Sequence, residues 1–183
     1  AAGGEKYESA DGISYHLPKD AIIYEDTKKI FDLVGIKGGA NSGTYEKTKA
    51  VLVVVEVDDP VLIRRASQAL SLRSEASAIY ERGVNRGGTI DALRRTTDLI
   101  LATAGGEIAS ELIDLKKEKF DPWKLQVRID RLNKILGIEI PQKKVFSILD
   151  SLNLSPTIAK DKIECTIPTY RNDLKIEEDL IEE

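Results

Sequence analysis

The sequence predicts an α+β fold (mixed α/β) divided into two domains, and three observations lead to that reading. Strand-like and helix-like segments alternate as far as Leu115, as they do where helices cover a sheet. A charged run closed by proline, Lys116-Lys117-Glu118-Lys119-Phe120-Asp121-Pro122, then changes the composition. A shorter strand–helix–helix–hairpin series follows and ends in an acidic helix. The expected boundaries are residues 1–116 for the first domain, 117–123 for a linker and 124–183 for the second domain. A chain of 183 residues needs no disulfide or metal to fold, since ~150 residues already bury roughly 70% of the unfolded surface.

Within residues 1–36, Ala21–Tyr24 and Lys29–Ile36 predict short strands separated by the turn-like Glu25-Asp26-Thr27. Residues 37–43 hold three glycines with Asn41 and Ser42, the composition of a loop. The valine-rich run Val51–Val57 predicts a strand buried on both faces. Pro60 suits the first turn of a helix that continues through Ile63, Ala66, Ala69 and Leu70. A second helix is expected from about Thr89, as its cap, to Ala104, with Leu93, Thr97, Ile100 and Leu101 on one face and Gly105-Gly106 as its stop. Past the linker, Leu125–Ile129 predicts a strand and Asp130–Leu136 a helix closed by Gly137. Pro141 opens a helix carrying Val145, Ile148, Leu149 and Leu152. Ile158–Ile167, interrupted at Lys160-Asp161-Lys162, predicts a hairpin, and an acidic helix is expected from about Leu174 onward.

Composition narrows the function. The net charge is −4 and 32% of residues are charged, so no global basic field steers the chain toward nucleic acid. The single cysteine, Cys165, makes no internal disulfide, and the longest apolar stretch, Ala50–Val55, is far below the ~18 residues of a membrane span. These features predict a cytoplasmic protein without a membrane partner. With no methionine at all, the chain reads as a piece of a longer one.

Motif by motif, most chemistry is eliminated. The glycine-rich loop lacks both the Gly-Lys-Ser/Thr ending of a P-loop and dinucleotide-fingerprint spacing. His16 stands alone, Cys165 reads as a small hydrophobe, and too few ligands exist for zinc. Two stretches remain. Leu72–Val84 follows the Pro60 helix and on composition alone is a solvated helix with ordinary surface pairs. The terminal stretch places Asp179, Glu182 and Glu183 at i, i+3 and i+4, on one helix face, with Asp173 ahead of the helix. Such carboxylates need a cation or a basic partner, and an all-oxygen set favours Mg²⁺ over softer metals. An exposed acidic face is the alternative.

Taken together, the segments resemble the β subunit of bacterial phenylalanyl-tRNA synthetase. Leu72-Arg-Ser-Glu-Ala-Ser-Ala-Ile-Tyr-Glu-Arg-Gly83 is similar to that family's Leu-x-[Ser/Thr]-x-Ala-Ser-x-x-[Phe/Tyr]-Glu-Arg-Gly signature. Pro168-Thr-Tyr-Arg-Asn-Asp-Leu174, continuing to Asp179-Leu-Ile-Glu-Glu183, is similar to its acidic motif. The Gly38-Gly39…Ser42-Gly43 loop and the Thr48–Pro60 segment fit in the same order.

The resemblance implies an editing-type α/β domain followed by a small winged-helix-like α+β domain. It implies a fragment of a class II aminoacyl-tRNA synthetase, a phenylalanine–tRNA ligase, contributing to editing of mischarged tyrosyl-tRNA(Phe) and to tRNA contact. The implied partners are an α subunit, in an α₂β₂ heterotetramer, and tRNA(Phe). ATP would be used by the whole enzyme and not bound by this fragment, which alone would be inactive. Gly38, Ser74 and Ala76 would line the editing pocket, and the family's hydroxyl-reading glutamate falls on Val54, leaving Glu56 as the substitute. Asp173, Asp179, Glu182 and Glu183 would hold Mg²⁺ at the α-subunit contact. The competing readings are a stand-alone winged-helix nucleic-acid-binding module and a free-standing aminoacyl-tRNA deacylase.

Overall fold

A computed structural model describes residues 1–115 and 119–183. Residues 117 and 118 of the expected linker lie outside the described residues. The chain is mixed α+β, with small antiparallel sheets and six helices among the described residues. It divides into two compact units, Ala1–Val84 with Ala92–Ile100 and Asn85–Asp91 with Leu101–Glu183.

In the first unit, β1 (Lys6–Glu8) and β2 (Ser14–His16) form a hairpin. A separate sheet is the antiparallel series β3 (Ile23–Glu25), β4 (Ile30–Leu33) and β5 (Lys37–Gly38). A bridge between Ser9 and Gly39 ties the two sheets. Gly39 is required there, because a Cβ would lie 2.6 Å from the Phe31 carbonyl oxygen. Helix α1 (Pro60–Ala69) starts where the Asp59 carboxylate accepts the N–H groups of Val61 and Leu62, with Pro60 in the first turn. It turns Ile63 and Ala66 into a core with Tyr7, Leu17, Leu33 and Ile36. The Tyr7 hydroxyl donates to the Lys37 carbonyl at 2.5 Å, and burial pushes that phenol up to about 12.

Short α2 (Glu75–Tyr80) and long α3 (Thr89–Ala104) follow. Two expectations change here. Gly88, not Thr89, is the cap of α3; no residue of α3 is fully buried, but Leu93, Thr97, Ile100 and Leu101 are half-buried along the one face that their spacing predicts. Val51–Val57 is not a strand, and Val51, Leu52 and Val54 are 55%, 84% and 51% exposed. A strand needs a ladder partner, and among the described residues this run pairs with none of the three sheets. β-branched composition says only that a segment would fit a pleated surface.

The second unit is built on the sheet order β6-β8-β7, with β6 (Trp123–Arg128), β7 (Thr157–Ala159) and β8 (Lys162–Ile167). Ile163, Cys165 and Ile167 alternate inward along β8, the period-two pattern of a half-buried strand. They pack with Val127, Leu132, Val145, Leu149, Leu154, Leu174, Leu180 and Ile181. Burial pushes the Cys165 thiol up to about 11, so it behaves as an inert apolar group. Helix α4 (Ile129–Leu136) stops at Gly137 in the left-handed region (φ 71°), and α5 (Gln142–Ser151) follows Pro141. The acidic helix α6 covers only Glu177–Glu182, not the run from Leu174. The Asp179 carboxylate takes the N–H groups of Lys175 and Ile176, at 2.6 and 2.8 Å, which fixes the helix start just beyond them.

Candidate functional site

The sheet of the first unit sets up one row of side chains. Tyr24 on β3 stands opposite Asp32 on β4, and Asp32 stands opposite Gly38 on β5. Cross-strand partners share a face of the sheet, so a phenol, a carboxylate and a glycine lie side by side. A Cβ placed on Gly38 would approach only the Ser42 hydroxyl, at 3.9 Å, so that end of the row has room for more than a hydrogen atom. The Tyr24 ring stacks on Phe31 with centroids 6.0 Å apart.

Glu56 reaches this row from the irregular segment before α1. Its Oε2 accepts a hydrogen bond from the Tyr24 hydroxyl. Asp58, two residues on, buries its Oδ2 with no hydrogen-bond partner among the described residues. Burial first, and the neighbouring Glu56 second, push the Asp58 carboxyl up to about 6 and raise that of Asp32 as well. Burial and then Glu56, Asp58 and Asp32 raise the Tyr80 phenol at the end of α2. Three carboxylates and two phenols therefore feel one another, and among the described residues no lysine or arginine forms an ion pair with Asp32, Glu56 or Asp58.

The other expected pocket residues are less gathered. Ser74 caps α2 by accepting the Ser77 N–H at 3.0 Å, and its hydroxyl donates to the Ile36 carbonyl at 2.6 Å, two residues before Gly38. This bond ties the start of α2 to the approach to β5. Ala76 sits exposed on α2, and Val54 is half exposed and apolar, so neither presents a polar group to the row. Tyr24, Asp32, Asp58 and Tyr80 were not singled out by sequence reasoning. The signals were present: a lone carboxylate in the apolar run Ile30–Leu33, and acids at alternate positions 56 and 58 in a valine tract.

In the second unit the terminal carboxylates are handled differently. One guanidinium, Arg171, binds Asp173 through Nη2 at 2.6 Å and also binds Glu183. Arg171 holds the Asp173 carboxyl below the usual carboxylate range. Glu177 accepts from Arg128 at 2.7 Å and Glu178 from Arg131, and both acids are lowered by these arginines. Asp179 is committed to the backbone at the start of α6. Among the described residues no three His, Cys, Asp or Glu side chains converge as a metal-holding group. No helix among them is long and apolar enough to cross a membrane.

Chemically, the row on the first sheet offers a hydrogen-bond acceptor in Glu56 and, beside it, an Asp58 carboxyl raised to about 6 by burial. Buried acids shifted this way are where hydrogen-bond recognition and proton transfer concentrate.

Comparison with known proteins adds the family. Residues 1–105 match the B3/4 domain and residues 125–183 the tRNA synthetase B5 domain. The chain is similar to the phenylalanine–tRNA ligase beta subunit of Salinibacter ruber, 35% identical over 177 residues covering 97% of this chain and 21% of the relative. It is likewise similar to those of Thermotoga maritima (35% identical) and Carboxydothermus hydrogenoformans (34%), each over the whole chain and 23% of the relative. The chain thus spans between a fifth and a quarter of the length of these relatives. With a B3/4 domain followed by a B5 domain, and similarity running from end to end, the chain belongs to the phenylalanine–tRNA ligase beta-subunit family.

Proposed function

We propose that this chain is the B3/4–B5 part of a phenylalanine–tRNA ligase beta subunit, and that its first domain contributes to hydrolysis of mischarged tyrosyl-tRNA(Phe). The parent enzyme on this reading is a cytoplasmic class II synthetase, an α₂β₂ assembly that consumes ATP at its α subunit, and the fragment by itself does not aminoacylate. Its domains are residues 1–116 and 124–183 with a linker at 117–123, the second being winged-helix-like.

The physical need is plain. A pocket shaped for phenylalanine rejects a side chain that merely adds a hydroxyl by only ~10². A second site must read the extra hydroxyl through a buried acceptor and bring a water to the ester carbonyl. The observation that carries the reading is the row Tyr24–Asp32–Gly38 with Glu56 bonded into it. Glu56 supplies the acceptor that Val54 lacks. Gly38 leaves space at the other end of the row, opposite Asp32, and Ser74, bonded to the Ile36 carbonyl, would line the pocket from α2 together with Ala76. Asp58, its carboxyl raised to about 6, stands next to the reader.

Magnesium enters as part of the assembled enzyme. The oxygen donors Asp173, Asp179, Glu182 and Glu183 are of the right kind for it. Their arrangement within this chain does not fit a metal, because Arg171 takes two of them and the backbone a third. No step here runs through the ion. What the motif does within the chain is present an ordered acidic surface for the α subunit. Asp173→Ala weakens association with that subunit or its Mg²⁺ dependence, as sedimentation of the mixed subunits measures.

A stand-alone nucleic-acid module has less support, because Lys124 and Arg128 on β6 are neutralised by Glu164 and Glu177. The attached B5 domain disfavours a free-standing deacylase. The deciding experiment is deacylation of tyrosyl-tRNA(Phe) by the whole enzyme. Loss of hydrolysis in Glu56→Gln supports the site, and brisk hydrolysis that survives it overturns Glu56 as the reader.

A further inference from the structure

The donor on Glu56 is a phenol. Tyr24 presents to that carboxylate the same group that the side chain of a misacylated tyrosine would present, and it does so from within the chain. Its ring is fixed by stacking on Phe31 and by its place opposite Asp32, so the hydroxyl needs no ordering to reach Glu56. A tethered donor competes at an effective concentration that a diffusing substrate at micromolar level does not match. The neighbouring carboxylates add to the hold. Asp32 and Asp58 lie close enough to raise the Tyr24 phenol further, after burial and Glu56 itself, so Tyr24 keeps its proton and stays a donor.

We infer that Tyr24 is a specificity-determining residue of this site: it occupies Glu56 as a resident phenol, and a substrate hydroxyl is read only when it displaces Tyr24. This rests on the proposed reading of Glu56 and deepens it, by giving the reader a built-in competitor. Hydrolysis of the tyrosyl ester is thereby restrained, and esters without a hydroxyl are untouched by the contact.

Tyr24→Phe removes the hydroxyl and keeps the ring on Phe31, so the sheet is retained. That is checked by unchanged hydrogen exchange in β3 and β4. In the whole enzyme, kcat/KM for tyrosyl-tRNA(Phe) deacylation rises about tenfold, the worth of one hydrogen bond to a charged group, mainly through KM. Hydrolysis of phenylalanyl-tRNA(Phe) does not move, and Glu56→Gln added to Tyr24→Phe abolishes the gain. Wild-type hydrolysis that Tyr24→Phe leaves unchanged or lowers overturns the role of Tyr24 alone. An equal rise for both esters also overturns it, since a loosened fold and not a freed reader would then be responsible. Absence of tyrosyl ester hydrolysis in wild type and Tyr24→Phe alike takes down the reading of the site, and this inference with it.

Discussion

In the second unit Asp173 and Glu183 share Arg171, while Glu177 and Glu178 are held by Arg128 and Arg131; in the first, Asp32, Glu56 and Asp58 meet phenols and one another. The consequences run in opposite directions. The paired acids are lowered and stay ionised, so their charges fasten α6 and its approach to β6 and α4. Asp32 and Asp58 in the first unit are raised, because burial disfavours their ionised form. An acid with an arginine beside it is accounted for by packing. A half-buried acid with no cation disfavours the fold, and persists where a site needs it.

The largest expected effect tests the paired side. Arg171→Ala leaves Asp173 and Glu183 facing each other without a counter-charge and destabilises the second unit by about 1–2 kcal/mol, discounted for the exposure of Asp173. Trp123, the chain's single tryptophan and part of β6, reports that unit in a fluorescence denaturation curve. An unchanged midpoint would remove Arg171 from the account.

Next comes Asp58→Asn, with the opposite sign. Because the folded carboxyl is raised to about 6, its favourable contribution is present below its ordinary value and is lost as pH rises through about 6. Asn therefore stabilises the first unit by ~1 kcal/mol at pH 7.5, after allowance for partial exposure, and by little at pH 3.5. Hydrogen exchange in β3 and β4 at the two pH values measures the difference, and an equal effect at both refutes the assignment.

A smaller effect separates the units by acid alone. Asp173 and Glu177 are lowered, so what they contribute is present above the ordinary carboxylate range and is lost as pH falls through their lowered values. Between pH 5 and 3 the second unit loses protection while the Asp58 and Asp32 contribution in the first improves. Parallel loss in both units would break the comparison. At the bottom of the scale stands Lys124→Ala. Its pair with Glu164 is exposed at 69% and 37% of the two side chains, and its removal leaves the Trp123 denaturation midpoint where it was.

Legibility from sequence follows the same division. In the second unit the strand, the Gly137 stop, the hairpin turn at Lys160–Lys162 and the inward set of the Pro141 helix all lie in local patterns, and the structure has each of them. Local chemistry is enough where neighbours in sequence are neighbours in space. The valine tract fails for the converse reason. Its residues favour a pleated surface, yet a strand exists only where another backbone accepts its hydrogen bonds, and among the described residues none does. The proposed site in the first unit mixes residues the sequence marks with residues it does not. Gly38 and Ser74 carry motif signals and Glu56 follows from its place two residues beyond Val54, whereas Asp32 and Asp58 show only as acids within apolar runs and Tyr24 carries no signal.

By itself the sequence determined the family, the helix boundaries at Pro60 and Gly137, and the terminal hairpin, because each depends on residues a few positions apart. Only the tertiary structure decided that Tyr24 would stand opposite Asp32 and give its hydroxyl to Glu56, thirty-two positions away. It also decided that Arg171 would pair with both Asp173 and Glu183, ten positions apart. The reason is the range of the forces. Propensity and capping act within a turn or two of chain, while a hydrogen bond or an ion pair acts between whatever groups the packed backbone brings within about 3 Å.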